Sequence, residues 1–446
     1  MKKLYKTIAV TIWGATQLLF VVNAKAQSWD SLAGGINSTV NTLITYNGSL
    51  FAAGTFDSSS GQPINNIAVW NDARWSALGS GLQFSGGYAQ AVYNGDLYAA
   101  GFFTNAGGSS ANFIAKWDGS NWSALGSGLN TVVYALAVYN GELYAGGGFT
   151  TAGGINANYI ARWDGTSWDS VAGGVNGYVQ SLCVYNGKLY VGGTFDSAGG
   201  MPASGVAVWN GTTWSAIGGM NGFISSMAVF NNTLIVGGSF SNAGGVSAKN
   251  IAAWNGTSWA TLGSGTNATV SALVAANNDT LYVGGYFTTA GGSSANYIAI
   301  WNGSAWSAMG AGTNNAVLAL SIYKSNLYLG GEFTSAGGIH ASHVAEWIAP
   351  PPPPPISTSV NNITETSEIS VYPNPSNGAF TLQLSVVSKQ LSVEVYNMLG
   401  EKIYAQSNIE NSTSKIDLTG QPVGIYIYRV LSEQGDNIGT GRLIIK

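Results

Sequence analysis

WDSVAGGVNGYVQSLCVYNGKLYVGGTFDSAGGMPASGVAVW, from Trp168 to Trp209, is one copy of a unit that fills most of the chain. Four short apolar runs are separated by turn residues, which is the pattern of four strands rather than of helices. They are the Trp run (168–171), Val179 to Tyr185, Leu189 to Phe195, and Val206 to Trp209. Asn186-Gly187 suits a tight hairpin between the second and third runs, since both residues tolerate positive φ. Asn210-Gly211 leads into the next Trp run. Glycine recurs every few residues and no 3.6-residue apolar stripe survives, so helix is excluded.

Outward from this copy the tryptophans repeat in pairs: Trp70/Trp75, Trp117/Trp122, Trp163/Trp168, Trp209/Trp214, Trp254/Trp259 and Trp301/Trp306, with steps of 45 to 47 residues. Trp29 and Trp347 flank the series as half-pairs, giving seven copies between them. A period of this length marks a supersecondary unit that must stack on its neighbours to bury its apolar faces. Four strands plus loops in about 46 residues is the size of a propeller blade. A glycine pair sits inside the third run (Gly146-Gly147, Gly192-Gly193, Gly237-Gly238, Gly284-Gly285, Gly330-Gly331), reduced to Ala53-Gly54 and Ala100-Gly101 in copies one and two. Mid-strand glycine is normally a penalty; here both are expected to give adjacent sheets room to approach near a common axis. A Phe two residues on (Phe56, Phe103, Phe149, Phe195, Phe240, Phe287, Phe333) is expected in the core between blades.

The order LYVGG, then AVWNG, then a further Trp resembles the kelch repeat across residues 27–348. The F-T-x-A-G-G loop (Phe149 to Gly154, Phe287 to Gly292) departs from that consensus. The resemblance implies an all-β, seven-bladed propeller of the galactose-oxidase type. The repeat starts with a lone fourth strand, Ser28 to Leu32, and its last copy stops at Trp347. Ring closure then requires the Trp29 strand to complete the blade built from residues 316–348.

Composition narrows the function. The chain of 446 residues is 46% hydrophobic but only 8% charged, about a third of the usual charged share. Within residues 27–348 six Lys/Arg face twelve Asp/Glu, so clustered cations for nucleic acid are missing. Lys2, Lys3 and Lys6 precede an apolar stretch from Ile8 to Val22, and Ala24-Lys25-Ala26 offers a cleavage site. Residues 1–26 read as a secretory signal peptide, and no segment reads as a membrane span of the mature chain. The single Cys183 cannot form an internal disulfide and stands where other copies carry Ala or Ser, as a small buried residue.

Composition changes at a proline run, Pro350 to Pro355, which opens a linker over residues 349–367. From 368 onward seven short alternating runs predict a small β-sandwich: 369–372, 380–384, 391–396, 402–405, 415–418, 425–431 and 439–445. The residues Val371-Tyr372-Pro373-Asn374-Pro375, Gly378, Val395 to Gly400, Ile416-Asp417-Leu418, Gly424-Ile425-Tyr426 and Leu443 to Lys446 resemble the C-terminal sorting domain of the type IX (Por) secretion system. That resemblance implies a periplasmic intermediate, the type IX machinery as partner through residues 369–446, and delivery to the cell surface or medium. It also implies that Tyr372, Pro373, Asn374, Pro375, Gly400 and Gly424 belong to the motif the machinery recognises.

Catalysis needs groups that break the repeat. His340 and His343, with Glu346, have a zinc-like spacing but lie on loop and strand rather than on one helix face. Copper-bearing propellers of the galactose-oxidase kind use histidines that this chain lacks. No cofactor, metal or catalytic residue is assigned, and a non-enzyme is expected. Departures from the repeat gather instead on the face carrying the AGG loops: Phe84 and Tyr88 in a loop one residue longer in copy two, with Tyr178, Phe223 and His340. Aromatic rings beside Asn and Ser suit a glycan or a protein ligand, so a surface binding module is the expected function. An envelope spacer is the alternative, and a propeller hydrolase or lyase the weaker one.

Overall fold

In the computed structural model, the residues described are 28–276, 279–348, 369–384, 391–397, 402–409, 412–432 and 437–446. The expected signal peptide, the proline-rich linker and Gly400 lie outside them. The described residues fall in two compact units, one before Pro351 and one after Pro352.

The first unit is seven antiparallel sheets of the same design. In blade 4 the pairing order is Tyr178–Tyr185, Lys188–Thr194, Val206–Trp209, Trp214–Ala216. The first strand of every blade packs on the first strand of the next, and the last, Val317–Tyr323, packs on Val40–Tyr46. These seven strands therefore surround the axis. Asn186 and Gly187 turn the inner hairpin at φ +47° and +68°, the twist-matched geometry that Asn-Gly supplies at low cost.

Closure is made by the amino-terminal strand. Ser28–Asp30 pairs antiparallel with Val344–Ile348, Trp29 opposite Trp347, as the fourth strand of blade 7. The indole rings of that pair lie 4.7 Å apart. Blade 7 is also tied to blade 1, where the Tyr323 hydroxyl donates to the Gly48 carbonyl, 3.1 Å. Tyr46, Tyr139 and Tyr185 make the same bond to the following blade, onto Gly95, Gly187 and Asn232.

Seven apolar cores lie between the blades, one per interface. The seven Phe residues are all buried in them. At the outer edge the second Trp of blades 2 to 6 donates its indole N–H to a carbonyl of the blade before: Trp122 to Leu78, Trp168 to Leu125, Trp214 to Val171, Trp259 to Ile217 and Trp306 to Leu262. The tryptophan period is thus the period of an inter-blade bond as well as of apolar burial.

Only the first glycine of each pair does what its sequence context suggests. A Cβ at Gly192 would lie 2.6 Å from Ile224 Cγ2 of blade 5, and Ala53 and Ala100 fill this place in blades 1 and 2. The second glycine answers to its own blade. Each first strand carries a β-bulge, between Val179 and Ser181 in blade 4, which pushes a backbone carbonyl towards the second strand. A Cβ at Gly193 would overlap the Tyr178 oxygen, and Gly54, Gly101, Gly147, Gly238, Gly285 and Gly331 meet the corresponding oxygens of their blades. Hence all seven copies keep this glycine while two lose the other.

The AGG segments, read as loops, each close a further two-residue hairpin, such as Ser197–Ala198 with Met201–Pro202. An asparagine fastens the start of that segment. Asn176 Oδ1 accepts the Asp196 and Ser197 N–H groups, both at 3.0 Å, and its Nδ2 donates to Asp196. Asp57 is held the same way by Asn37. Both acids are therefore loop fasteners.

The second unit is a sandwich of a three-stranded and a four-stranded sheet. Its strands are Ile369–Tyr372, Ala379–Leu384, Leu391–Tyr396, Lys402–Ile409, Thr413–Asp417, Gly424–Ser432 and Asn437–Ile445. Phe380, Leu382, Val393, Val395, Tyr426, Val430 and Leu443 are among its core residues.

Candidate functional site: an aromatic arc at the propeller axis

The bulge that fixes the glycines also singles out one residue per blade. Asn41, Tyr88, Tyr134, Gln180, Ser225, Ser271 and Leu318 are the extra residues of the seven bulges. Asn41, Tyr88, Ser225 and Ser271 line an axial cavity of about 200 Å³. Asn41 donates to the Gly87 carbonyl at 3.3 Å, and Ser225 to the Val270 carbonyl. The ring is polar and uncharged on one side and aromatic on the other.

On the aromatic side four tyrosines run in sequence across blades 2 to 4. Tyr88 lies 5.8 Å from Tyr134, Tyr134 lies 6.4 Å from Tyr178, and Tyr178 lies 6.0 Å from Tyr159, all tilted or edge-on. Tyr178 is 52% exposed. Its ring rests against Gly148, where a Cβ would stand 3.2 Å from Tyr178 Cε1. Burial raises the Tyr134 phenol above its ordinary value, with smaller contributions from Tyr88 and Tyr178.

Tyr159 occupies a repeated strained position. Asn66, Phe113, Tyr159, Asn250, Tyr297 and His343 all have φ between +63° and +66°, and Gly205 stands at +73°. Bulky side chains seldom adopt this region. Each residue is held there by backbone bonds: in blade 3, Tyr159 N–H donates to the Phe149 carbonyl at 2.8 Å and Gly147 N–H to the Tyr159 carbonyl at 3.0 Å. Asn66 and Asn250 spend the geometry on side-chain bonds to the next blade, at Leu82 and Thr266.

The sequence-derived site residues fall in separate places. Tyr88 and Tyr178 belong to one arc, joined by Tyr134. Tyr88 is not on a loop: blade 2 opens with the long hairpin Leu82–Tyr93/Asp96–Ala106, because Gln83 stands where other blades have the fastening Asn and pairs across to Asn105. Phe84, at φ +84° and 73% exposed, forms a separate apolar recess of about 160 Å³ with Phe102, Phe103 and Phe113. Phe223 starts the first strand of blade 5, opposite Ser239, and has no ring partner among the described residues. His340 lies exposed on the blade 7 hairpin, paired with Ser335. Tyr134, Tyr159 and Phe102 were missed by the sequence reading. The signal for Tyr134 was available in its column, which reads Asn, Tyr, Tyr, Gln, Ser, Ser, Leu and varies nearly as much as the Tyr178 column before it.

His343 carries a buried Nδ1 without a protein partner, and burial holds its pKa below the ordinary value. An imidazole kept neutral on folding makes the unfolded chain the better proton acceptor. Its contribution to stability is therefore complete above the unfolded value of about 6.5 and falls as pH drops towards the lower folded value. The expected result is that His343→Tyr, the residue at the same place in blades 3 and 6, loses less thermal stability than the parent between pH 7 and pH 5. Equal losses in urea or thermal melts would contradict it. Among the described residues no group of three or more His, Cys, Asp and Glu could hold a metal. Burial pushes the Cys183 thiol up to about 12, well away from the range of reactive thiolates.

In the second unit Asn374 ties the Tyr372–Pro375 motif to the last strand. Its Nδ2 donates to the Arg442 carbonyl at 2.6 Å and its Oδ1 accepts the Ile444 N–H at 2.9 Å. Ser376 bonds Ile444 and Lys446 through its backbone. Tyr372, Pro373 and Pro375 remain exposed. At Gly424 a Cβ would meet nothing closer than the Pro422 oxygen at 4.0 Å, so packing does not demand glycine there.

Residues 370–446 match the family model of the secretion system C-terminal sorting domain, and residues 170–314 match that of the Rax2 C-terminal β-propeller domain. The chain is thus a β-propeller followed by a type IX C-terminal sorting domain, which implies export to the cell surface or the extracellular space. No curated protein matches it. Among solved structures, the extracellular domain of a candidate hybrid two component system from B. thetaiotaomicron aligns at 9% identity and TM-score 0.49, over 94% of this chain and 57% of that one. A second such domain, of a candidate one component system from B. thetaiotaomicron, aligns at 15% identity and TM-score 0.45, over 92% and 56%. This chain thus spans little over half the length of either. A copper-bound fungal alcohol oxidase of the AA5 family aligns at 11% identity and TM-score 0.40, over 95% and 100%. No helix among the described residues is long and apolar enough to cross a membrane.

Proposed function

We propose that the propeller is a non-catalytic binding module, displayed or released by type IX export, whose ligand stacks on the tyrosine arc at the axis. The observation that carries this reading is the run Tyr88–Tyr134–Tyr178–Tyr159, with rings 5.8 to 6.4 Å apart and Tyr178 half exposed. Half-exposed rings with polar tips offer an apolar face and a hydrogen-bonding edge together, which suits glycan or protein ligands.

The carboxylates of the propeller support a non-catalytic role because they are engaged elsewhere. Glu142 and Asp169 share Arg162, Asp96 pairs with Lys116, Asp72 with Lys324, and Glu346 accepts from Asn326. Glu332 is bonded to Tyr286, 3.1 Å across the interface of blades 6 and 7. In the sorting domain, exposed Tyr372, Pro373 and Pro375, with Gly424, would supply the surface read by the export machinery, while Asn374 orders it.

The test is a glycan array and a pull-down with the full chain, repeated with Tyr178→Ala. Removing one stacking ring should weaken the bound ligand about tenfold, or about 1.4 kcal/mol, with an unchanged melting temperature. Unchanged affinity in that variant would remove the arc as the binding site. Silence of the parent in both assays would favour an envelope spacer.

A further inference from the structure

Blade 3 carries an ion triad on its second, third and fourth strands that blade 7 repeats with the centre reversed. In blade 3, Arg162 stands opposite Tyr144 on one side and Asp169 on the other, and its guanidinium bonds Glu142 at 3.3 Å and Asp169 at 2.6 Å. Blade 2 is alike, with Lys116 on Asp96 at 3.0 Å. In blade 7 the same places hold Asn326, Tyr328, Glu346 and Asp30, with Glu346 opposite Tyr328 and Asp30. The central cation has become an acid, directly across from a second acid. Blades 1, 4, 5 and 6 carry Val69, Val208, Ala253 and Ile300 at the centre, opposite Ser76, Ser215, Ala260 and Ser307. The like-charge pair is therefore peculiar to blade 7. Two acids directly opposite in a ladder weaken it, and here they do so on the strand that closes the ring.

The two acids line a cavity of about 410 Å³ between blades 7 and 1, together with Trp70, Asp72, Lys324 and Tyr328. Lys324 is already committed: it pairs with Asp72 and lies 5.2 Å over the Tyr323 ring, while the Tyr323 hydroxyl donates to the other Asp72 oxygen at 3.0 Å. Asn326 donates to Glu346 at 2.7 Å and the Leu32 N–H to Asp30 at 2.9 Å, neutral donors that leave both charges uncompensated. Burial, with Glu346 beside it, raises the Tyr328 phenol above its ordinary value, so it stays a neutral donor.

We propose that this cavity is a guanidinium site, which takes from a protein partner the arginine side chain that blade 3 supplies for itself. The site is independent of the stacking reading, since it lies on the outer strands of blade 7 and not on the axial ones. Three carboxylates face one ammonium in the lining, so the charge that complements it is positive. A planar guanidinium bonds two carboxylates at once and stacks on an indole such as Trp70. The volume accepts such a side chain with part of its backbone. A metal ion is a poorer match, because no group of three or more His, Cys, Asp and Glu among the described residues could hold one.

Isothermal titration of the full chain with a blocked Gly-Gly-Arg-Gly-Gly peptide tests this, beside the same peptide with lysine or citrulline at its centre, and calcium chloride. Saturable binding of the arginine peptide is expected, fading as salt is added, with the citrulline peptide at least about tenfold weaker. Glu346→Gln keeps the acceptor for Asn326 and should melt like the parent, yet bind the arginine peptide at least about tenfold more weakly. Glu346→Arg rebuilds the blade 3 arrangement against Asp30, and should abolish binding and raise the melting temperature. Tyr178→Ala should bind the arginine peptide as the parent does, which keeps this site distinct from the tyrosine arc. No binding, equal affinity for the citrulline peptide, or unchanged affinity in Glu346→Gln overturns the site. Equal affinity for the lysine peptide, or tighter binding of calcium at Glu346, overturns the guanidinium assignment. A lower melting temperature for Glu346→Arg shows that the acids do not await a cation, and overturns the proposal as well.

Discussion

Deleting residues 28–32 is expected to destabilise the propeller by at least about 4 kcal/mol, the scale of losing one large buried aromatic with its cavity. In a unit of this size that corresponds to a fall in melting temperature of roughly 10 °C. The segment is only a few residues long, yet Ser28–Asp30 is the whole fourth strand of blade 7. Trp29 packs on Trp347 and covers Gly337. Without it blade 7 exposes the edge of Val344–Ile348, and the core shared with blade 6, which contains Trp347 and Phe333, loses its outer wall. The control is deletion of five residues of the proline run 350–355, which should leave the melting temperature unchanged. Equal midpoints for the two deletions would show that the ring does not depend on this strand.

Gly193→Ala should cost about 3 kcal/mol, at the upper end of overpacking, whereas Gly192→Ala should cost about 1 kcal/mol. The added carbon has different neighbours in the two cases. At Gly193 it overlaps a backbone carbonyl fixed by the bulge, and backbone cannot step aside without breaking the pairing of Tyr178–Tyr185 with Lys188–Thr194. At Gly192 it meets Cγ2 and Cβ of the buried Ile224 and the end of Met227, side-chain rather than backbone atoms, and alanine already stands there in blades 1 and 2. Chemical denaturation of the two single variants measures the difference. Equal destabilisation, or the reverse order, would mean that the approach of neighbouring blades governs both glycines.

These two results weigh differently on what could be read in advance. The closing strand was legible because it follows from counting: seven copies, beginning with a half-pair at Trp29 and ending with one at Trp347, leave one partner for each. The strands of the sorting domain were legible too, since alternation of apolar and polar residues needs no tertiary information. The bulge was not. It is an event of register between two strands, and the residue it displaces looks like any other in a run such as YVQSLCVY. Without it the second glycine was assigned to the wrong neighbour, and Tyr134 and Gln180 went unnoticed beside Tyr178. Phe223 and His340 were grouped with Tyr178 by their shared face, although distance along that face separates His340, on the blade 7 hairpin, from the axis.

The repeat by itself determined the architecture, because apolar period, Asn-Gly turns and matched half-pairs are local properties that add up to one way of closing a ring. Which side chains meet at the axis was decided only by the tertiary structure, since seven blades bring together residues some 45 positions apart through a displacement of a single residue in each. That displacement arises from backbone pairing, and so leaves no mark on composition or period.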